Sequence, residues 1–142
     1  MLMDCSDSYG NNACGGGLAD NSYRFVIDNG IVLENEYPYV GFKQVSCKTA
    51  RGGFEISGFV ELRTCQDLSN EIQRRPVSVA VDATKWSSYK KGVFDNCGTH
   101  LNHAGLLTGI KDGNWVVRNA WGSSWGENGY ITLSQGNTCG IC

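Results

Sequence analysis

Only two histidines occur in the 142 residues, His100 and His103, and one of them stands in a pattern that could do chemistry. Asn119 follows His103 by sixteen residues, inside Arg118-Asn119-Ala120-Trp121-Gly122-Ser123-Ser124-Trp125-Gly126. A histidine oriented by an asparagine amide is the base half of a nucleophilic site. The amide fixes one ring nitrogen, and the other faces the nucleophile. Two tryptophans beside the pair would shelter that hydrogen bond from water. A second chemistry is also open. Cys97-x-x-His100-x-x-His103 and Cys139-x-x-Cys142 have spacings that suit zinc, although only the second contains a CxxC pair.

The elements that must position these residues change character along the chain. The first third is helical: Ala19, Tyr23, Val26 and Ile27 recur at helical spacing between Leu18 and Asn29, and Gly30 is placed as a stop. A second helix is expected from about Cys65 to Arg75, opened by Thr64 and Asp67 at capping-box spacing and closed by Pro76. The period then becomes two. Val77, Val79 and Val81 alternate with Ser78 and Ala80, as in a strand with one face more buried. Segments 104–110 and 114–118 flank Lys111-Asp112-Gly113, a hairpin signal, and 129–133 is a further strand. A pairing centred on Lys111 would set His103 directly across from Asn119. An Asp112-Gly113 two-residue turn would need a bulge or a longer loop to reach that alignment. In either case the two lie on neighbouring strands of an antiparallel β region, and the fold class is α+β.

Composition bounds the rest. Hydrophobic residues are 41% and aromatics 11%, enough for a packed core and against disorder. Twelve basic and fourteen acidic residues leave −2, so no basic field draws nucleic acid or an acidic membrane surface. The apolar runs are far shorter than a membrane span, and Met1 to Asp7 carries no signal-peptide pattern. Nineteen glycines and two prolines imply many tight turns and close backbone approaches. Seven dispersed cysteines suggest disulfides made in an oxidising compartment. Seven is odd, so at least one thiol is free or pairs with another chain.

The blocks around these residues occur in a telling order: Asp4-Cys5-Ser6, Gly10-Asn11, Cys14-Gly15-Gly16-Gly17, Asn29-Gly30-Ile31, Glu36-Tyr37-Pro38-Tyr39, Pro76-Val77-Ser78-Val79-Ala80, Leu101-Asn102-His103-Ala104, Asn119 to Gly126, Gly129-Tyr130-Ile131 and Cys139-Gly140-Ile141. From about Asp4 to the last residue the series resembles the papain-like, cathepsin L-type cysteine peptidases. The resemblance implies the second half of the helical lobe over 1–50 and most of the antiparallel β-barrel lobe over 51–142. His103 looks like the catalytic general base, Asn119 like the residue that orients it, and Trp121 like the tryptophan that covers their hydrogen bond. Gly16 and Gly17 match glycines whose backbone binds an extended peptide. Leu18, Ala19, Ala80, Leu101 and Ala104 match positions lining a hydrophobic S2 pocket, and Asn102 one whose carbonyl meets substrate. Cys5 would pair with Cys47 and Cys97 with Cys139. Cys65 and Cys142 fall outside the common pattern, as a bridge or as thiols.

The chain also departs from the pattern. None of its cysteines matches the nucleophile, which the family's spacing places roughly 27–30 residues before Met1. The oxyanion-hole glutamine belongs to the same segment, and Cys14 would pair with a cysteine there. A residue at the base of the S2 pocket lies beyond Cys142. Ala120 stands where most relatives have serine. The expectation is therefore a cysteine endopeptidase in which the thiolate comes from an N-terminal segment or light chain, so that this chain alone is inactive. It would act on peptide or protein substrates, need no cofactor or metal, and work in a lysosome or vacuole or after secretion. The alternative is a non-catalytic relative serving as a binding or structural subunit.

Overall fold

A computed structural model of the chain describes residues 1–48 and 51–142. The expected boundary follows Ala50, which with Thr49 lies outside the described residues. The chain divides into two compact units, Met1–Glu61 and Leu62–Cys142.

The first unit holds helices α1 (Leu2–Cys5) and α2 (Ala19–Asn29). On α2 the apolar stripe turns Phe25 and Val26 inward, and Tyr9 meets Phe25 edge-on at 5.4 Å. Leu18 is the extended residue before the helix, and Gly30 ends it at a φ of 67°, a conformation that glycine adopts without Cβ strain. Cys5 and Cys47 form a disulfide. Beside it the buried Asp4 carboxylate accepts hydrogen bonds from the Gln44 N–H at 2.8 Å and its Nε2 at 3.0 Å. The Tyr37 hydroxyl donates a third at 3.0 Å. Burial pushes this carboxyl up, but those donors outweigh it and hold Asp4 below the ordinary aspartate range.

The second unit opens with α3 (Cys65–Glu71), whose first free N–H groups find a partner in Thr64: the Asp67 N–H donates to Thr64 Oγ1 at 3.1 Å. The helix is four residues shorter than expected, because residues 72–75 tighten into a turn before Pro76. The residue preceding a proline is sterically pushed out of the α region. Strands β1 (Val77–Val81), β2 (Val93–Phe94), β3 (His103–Lys111), β4 (Asn114–Arg118) and β5 (Tyr130–Leu133) follow. They form one sheet in the order β1-β3-β4-β5-β2. The pairs are antiparallel except β2 with β5, which adds one parallel pair to the antiparallel set expected. Two residues are too few to show any periodicity, so β2 leaves no mark in the sequence.

One face of this sheet builds the core. Val81, Leu107, Val117, Ile131 and Leu133 are wholly enclosed, and Leu68 of α3 and Ile72 just after it pack in the same cluster. Each such aliphatic side chain contributes about 1.5–3 kcal/mol by leaving water. Cys97–Cys139 and Cys65–Cys142 are disulfides. The latter ties the start of α3 to the last residue and resolves the alternative left open for those two cysteines.

Candidate active site

The hairpin sets the site. Lys111 pairs with Asn114 around Asp112-Gly113, whose φ values of 50° and 80° make the two-residue turn that hairpins favour. Between Leu107 and Gly109 the register shifts. Carried on from the Leu106–Arg118 pair, it places Gly105 opposite Asn119 and His103 two positions further along. The direct alignment around Lys111 is therefore not formed, and the pair meets diagonally. Gly105, between them, has no side chain to intervene.

His103 opens β3 opposite Val81, the last residue of β1. Asn119 lies one residue past β4, where its N–H donates to the Gly129 carbonyl at 2.9 Å. His103 Nε2 and Asn119 Oδ1 are 2.8 Å apart. An amide oxygen only accepts, so Nε2 carries the proton and donates. Nδ1 makes no hydrogen bond among the described residues and is the nitrogen left to exchange a proton. Asn119 Oδ1 also accepts from the Ala120 N–H at 2.7 Å. Asn119 Nδ2, by contrast, is buried without an acceptor.

Aromatic rings surround the pair. Trp121, partly exposed, lies 5.1 Å from the His103 ring. Trp86, fully buried, meets His103 edge-on at 6.0 Å and stacks on Trp125 at 6.1 Å. Trp125 in turn donates from Nε1 to the Trp86 carbonyl at 3.1 Å and sits edge-on to Trp121 at 5.1 Å. Such a wall limits water at the Nε2–Oδ1 bond, where a low local dielectric strengthens it.

The loop before His103 is held by two polar side chains. Asn102 Oδ1 accepts from the Ala83 N–H and its Nδ2 donates to Thr84 Oγ1, both at 2.9 Å. Asp82, buried against this loop, accepts from the Thr84 N–H at 3.0 Å and the His100 N–H at 3.3 Å. Thr84, through its side chain and N–H, and His100, through its N–H, hold the Asp82 carboxyl below its ordinary value, although burial opposes them. Neither Asp82 nor Trp86 stands out in the sequence as part of a site. Asp82 continues a strand pattern, and a lone tryptophan after a loop reads as core.

The remaining sequence-derived positions are placed as follows. Ala80 and Ala104 face each other across β1 and β3 and are exposed. Leu101 is exposed immediately before Asn102. In the first unit Gly16, Gly17, Leu18 and Ala19 form one exposed stretch. Cys14 is an exposed free thiol with Sγ 3.5 Å from Met3 Sδ. The zinc alternative is overturned by the disulfides: Cys97 and Cys139 are bonded to each other, and Cys142 to Cys65. Oxidised sulfurs offer no thiolate ligands.

The profile for the papain family cysteine protease matches residues 1–142. Cathepsin L 2 of Paramecium tetraurelia is 46% identical over 144 residues, an alignment covering 99% of this chain and 46% of that protein. A cathepsin L-like proteinase of Phaedon cochleariae is 36% identical over 155 residues, covering 99% and 48%. The chain thus spans about half the length of these curated relatives. Among solved structures, a Carica candamarcensis cysteine protease superposes with a TM-score of 0.90 at 31% identity, covering 99% of this chain and 70% of that one. A digestive procathepsin L 3 of Tenebrio molitor gives a TM-score of 0.90 at 37% identity, covering 99% and 51%. With a match along its full length and an α+β structure of the same form, this chain belongs to the papain family of cysteine proteases.

Proposed function

We propose that the chain supplies the base and much of the substrate-binding surface of a cysteine endopeptidase. The observation that carries this reading is the 2.8 Å His103 Nε2–Asn119 Oδ1 contact beneath Trp121, with Nδ1 unengaged. In the proposed reaction a cysteine thiolate attacks the peptide carbonyl. His103 gives the Nδ1 proton to the leaving amine, so the C–N bond breaks and an acyl enzyme remains. Water then attacks the acyl carbon, its proton passes to His103, and the thiolate departs as the new carboxylic acid is released. Throughout, Asn119 holds Nε2, so one ring nitrogen is fixed while the other exchanges protons.

The thiolate comes from a cysteine outside Met1–Cys142, on a preceding segment or a light chain. Six of the seven cysteines here are in disulfides, which supports that reading. Gly16 and Gly17 bind peptide backbone. Leu18, Ala19, Ala80, Leu101 and Ala104 contact a hydrophobic side chain two residues before the scissile bond, Asn102 offers its carbonyl, and Trp121 borders the leaving side. Substrates are peptides or proteins, met in a lysosome, a vacuole or outside the cell, where disulfides persist.

The test uses the protein as isolated. Intact mass without and with reductant reports a disulfide-linked partner, and a fluorogenic peptide with Phe or Leu two residues before the cleaved bond reports turnover. A mass loss on reduction, with turnover abolished by His103→Ala, supports the two-chain peptidase. Undiminished turnover by His103→Ala removes the role assigned to that residue. No turnover by a disulfide-linked two-chain species with His103 intact favours the non-catalytic subunit instead.

A further inference from the structure

We infer that Asn11 is a positioning residue that holds the Gly16–Gly17–Leu18 backbone in the form that receives an extended peptide. The inference deepens the substrate reading above and rests on it for the occupant. All the hydrogen-bonding capacity that Asn11 needs is used. Its Oδ1 accepts from the Leu18 N–H at 3.0 Å, and its Nδ2 donates to Ser6 Oγ at 2.9 Å and Ser22 Oγ at 3.1 Å. A backbone amide can only donate, so the Leu18 contact fixes which way the carboxamide faces. Both serines are themselves anchored. Ser6, 1% exposed, donates to the Leu2 carbonyl at 2.6 Å, and Ser22 donates to the Leu18 carbonyl at 3.2 Å. Asn11 is thereby locked to the end of α1 and the first turn of α2.

The same carboxamide lies against Gly17. A Cβ on Gly17 would lie 2.3 Å from Asn11 Oδ1 and 2.8 Å from its Cγ, well inside contact distance. Asn11 thus occupies the space a side chain at position 17 would take, and glycine is required there. The preceding residue is pinned as well, because the Asn12 N–H donates to the Gly16 carbonyl at 2.8 Å. What remains is Gly17, whose own N–H and C=O have no partner among the described residues. An exposed residue with both backbone groups unpaired is an edge to which an extended chain can add as a strand. Because Asn11 consumes the neighbouring Leu18 N–H, only Gly17 is presented, and a bound peptide has one register.

The experiment is a nitrogen-15 NMR titration of the chain with the blocked tripeptide acetyl-Ala-Phe-Gly amide, read at the Gly17 and Leu18 amides. It is run on wild type, Asn11→Ala and Asn11→Asp, the last retaining an oxygen for the Leu18 N–H. In wild type the peptide should shift Gly17. In Asn11→Ala affinity should fall at least tenfold and Leu18 should exchange with solvent faster, while dispersion of the core signals stays native. Asn11→Asp should recover Leu18 protection and part of the affinity, a rescue that a general loss of stability would not give. Equal affinity in wild type and both variants overturns the inference and leaves the peptide reading of Gly17 standing. A wild-type chain in which the peptide never shifts Gly17 overturns the substrate reading itself, and the proposed occupant with it.

Discussion

Replacing Asn119 by alanine separates catalysis from stability, because the structure sets its energetic terms against each other. The variant removes the acceptor of two hydrogen bonds, from His103 Nε2 at 2.8 Å and from the Ala120 N–H at 2.7 Å. Each is worth about 0.5–1.5 kcal/mol net, so about 1–3 kcal/mol is lost. It also removes Asn119 Nδ2, a buried donor with no acceptor, whose desolvation already costs the folded state about 1–3 kcal/mol. The two terms oppose each other and leave a net change within about 2 kcal/mol. Leu107→Ala is the control: that side chain is fully enclosed, and its truncation should cost about 2–5 kcal/mol. Turnover behaves differently. With no oxygen at Nε2 the ring can rotate and change tautomer, and a misplacement on the order of 1 Å costs about 100-fold in rate. Urea denaturation by tryptophan fluorescence reads the stability, and peptide hydrolysis by the complete protein reads the rate. A stability loss above about 3 kcal/mol would show that the amide is chiefly a structural strut. Wild-type turnover would show that something else orients His103. Either result refutes the reasoning.

Three further outcomes are expected. The folded-state pKa values of Asp4 and Asp82 are depressed, so their contribution is present above the ordinary carboxylate range of about 4 and is lost as pH falls through the folded values. Urea midpoints should accordingly drop on acidification below about pH 4.5, less steeply in Asp82→Asn; an unchanged acid limb in that variant would contradict the assignment. Replacing Cys65 and Cys142 by serine opens a loop of 77 residues and should cost about 4 kcal/mol by loop-closure entropy, checked by denaturation under non-reducing conditions. Thr64→Ala removes the acceptor for the Asp67 N–H and should cost about 1 kcal/mol, again read from the urea midpoint, with no effect on peptide turnover.

Much of the fold is legible where burial imposes a period. Val79 and Val81 of β1 are buried and Ala80 is exposed, as their alternation requires. Helix α2 begins and ends within a residue of its pattern because its apolar stripe and Gly30 agree. The parallel β2–β5 pair was not legible, since two residues carry no period. Asn11 was not legible as a hub either. A polar residue in a glycine-rich loop looks solvated until Ser6, Ser22 and Leu18 come within reach of it.

By itself, the sequence determined the chemical types: one histidine with an asparagine sixteen residues on, tryptophans beside them, and an odd number of cysteines. Those follow from composition and spacing, which survive without coordinates. The tertiary structure decided which groups meet. The Asp112-Gly113 turn sets an offset pairing and the shift between Leu107 and Gly109 moves it by one residue, so Asn119 reaches His103 diagonally past Gly105 rather than straight across. It likewise closed Cys65 onto Cys142, two residues 77 apart. Local propensity cannot choose among such long-range partners, because their approach is fixed only when the sheet, α3 and the core pack together and exclude the alternatives.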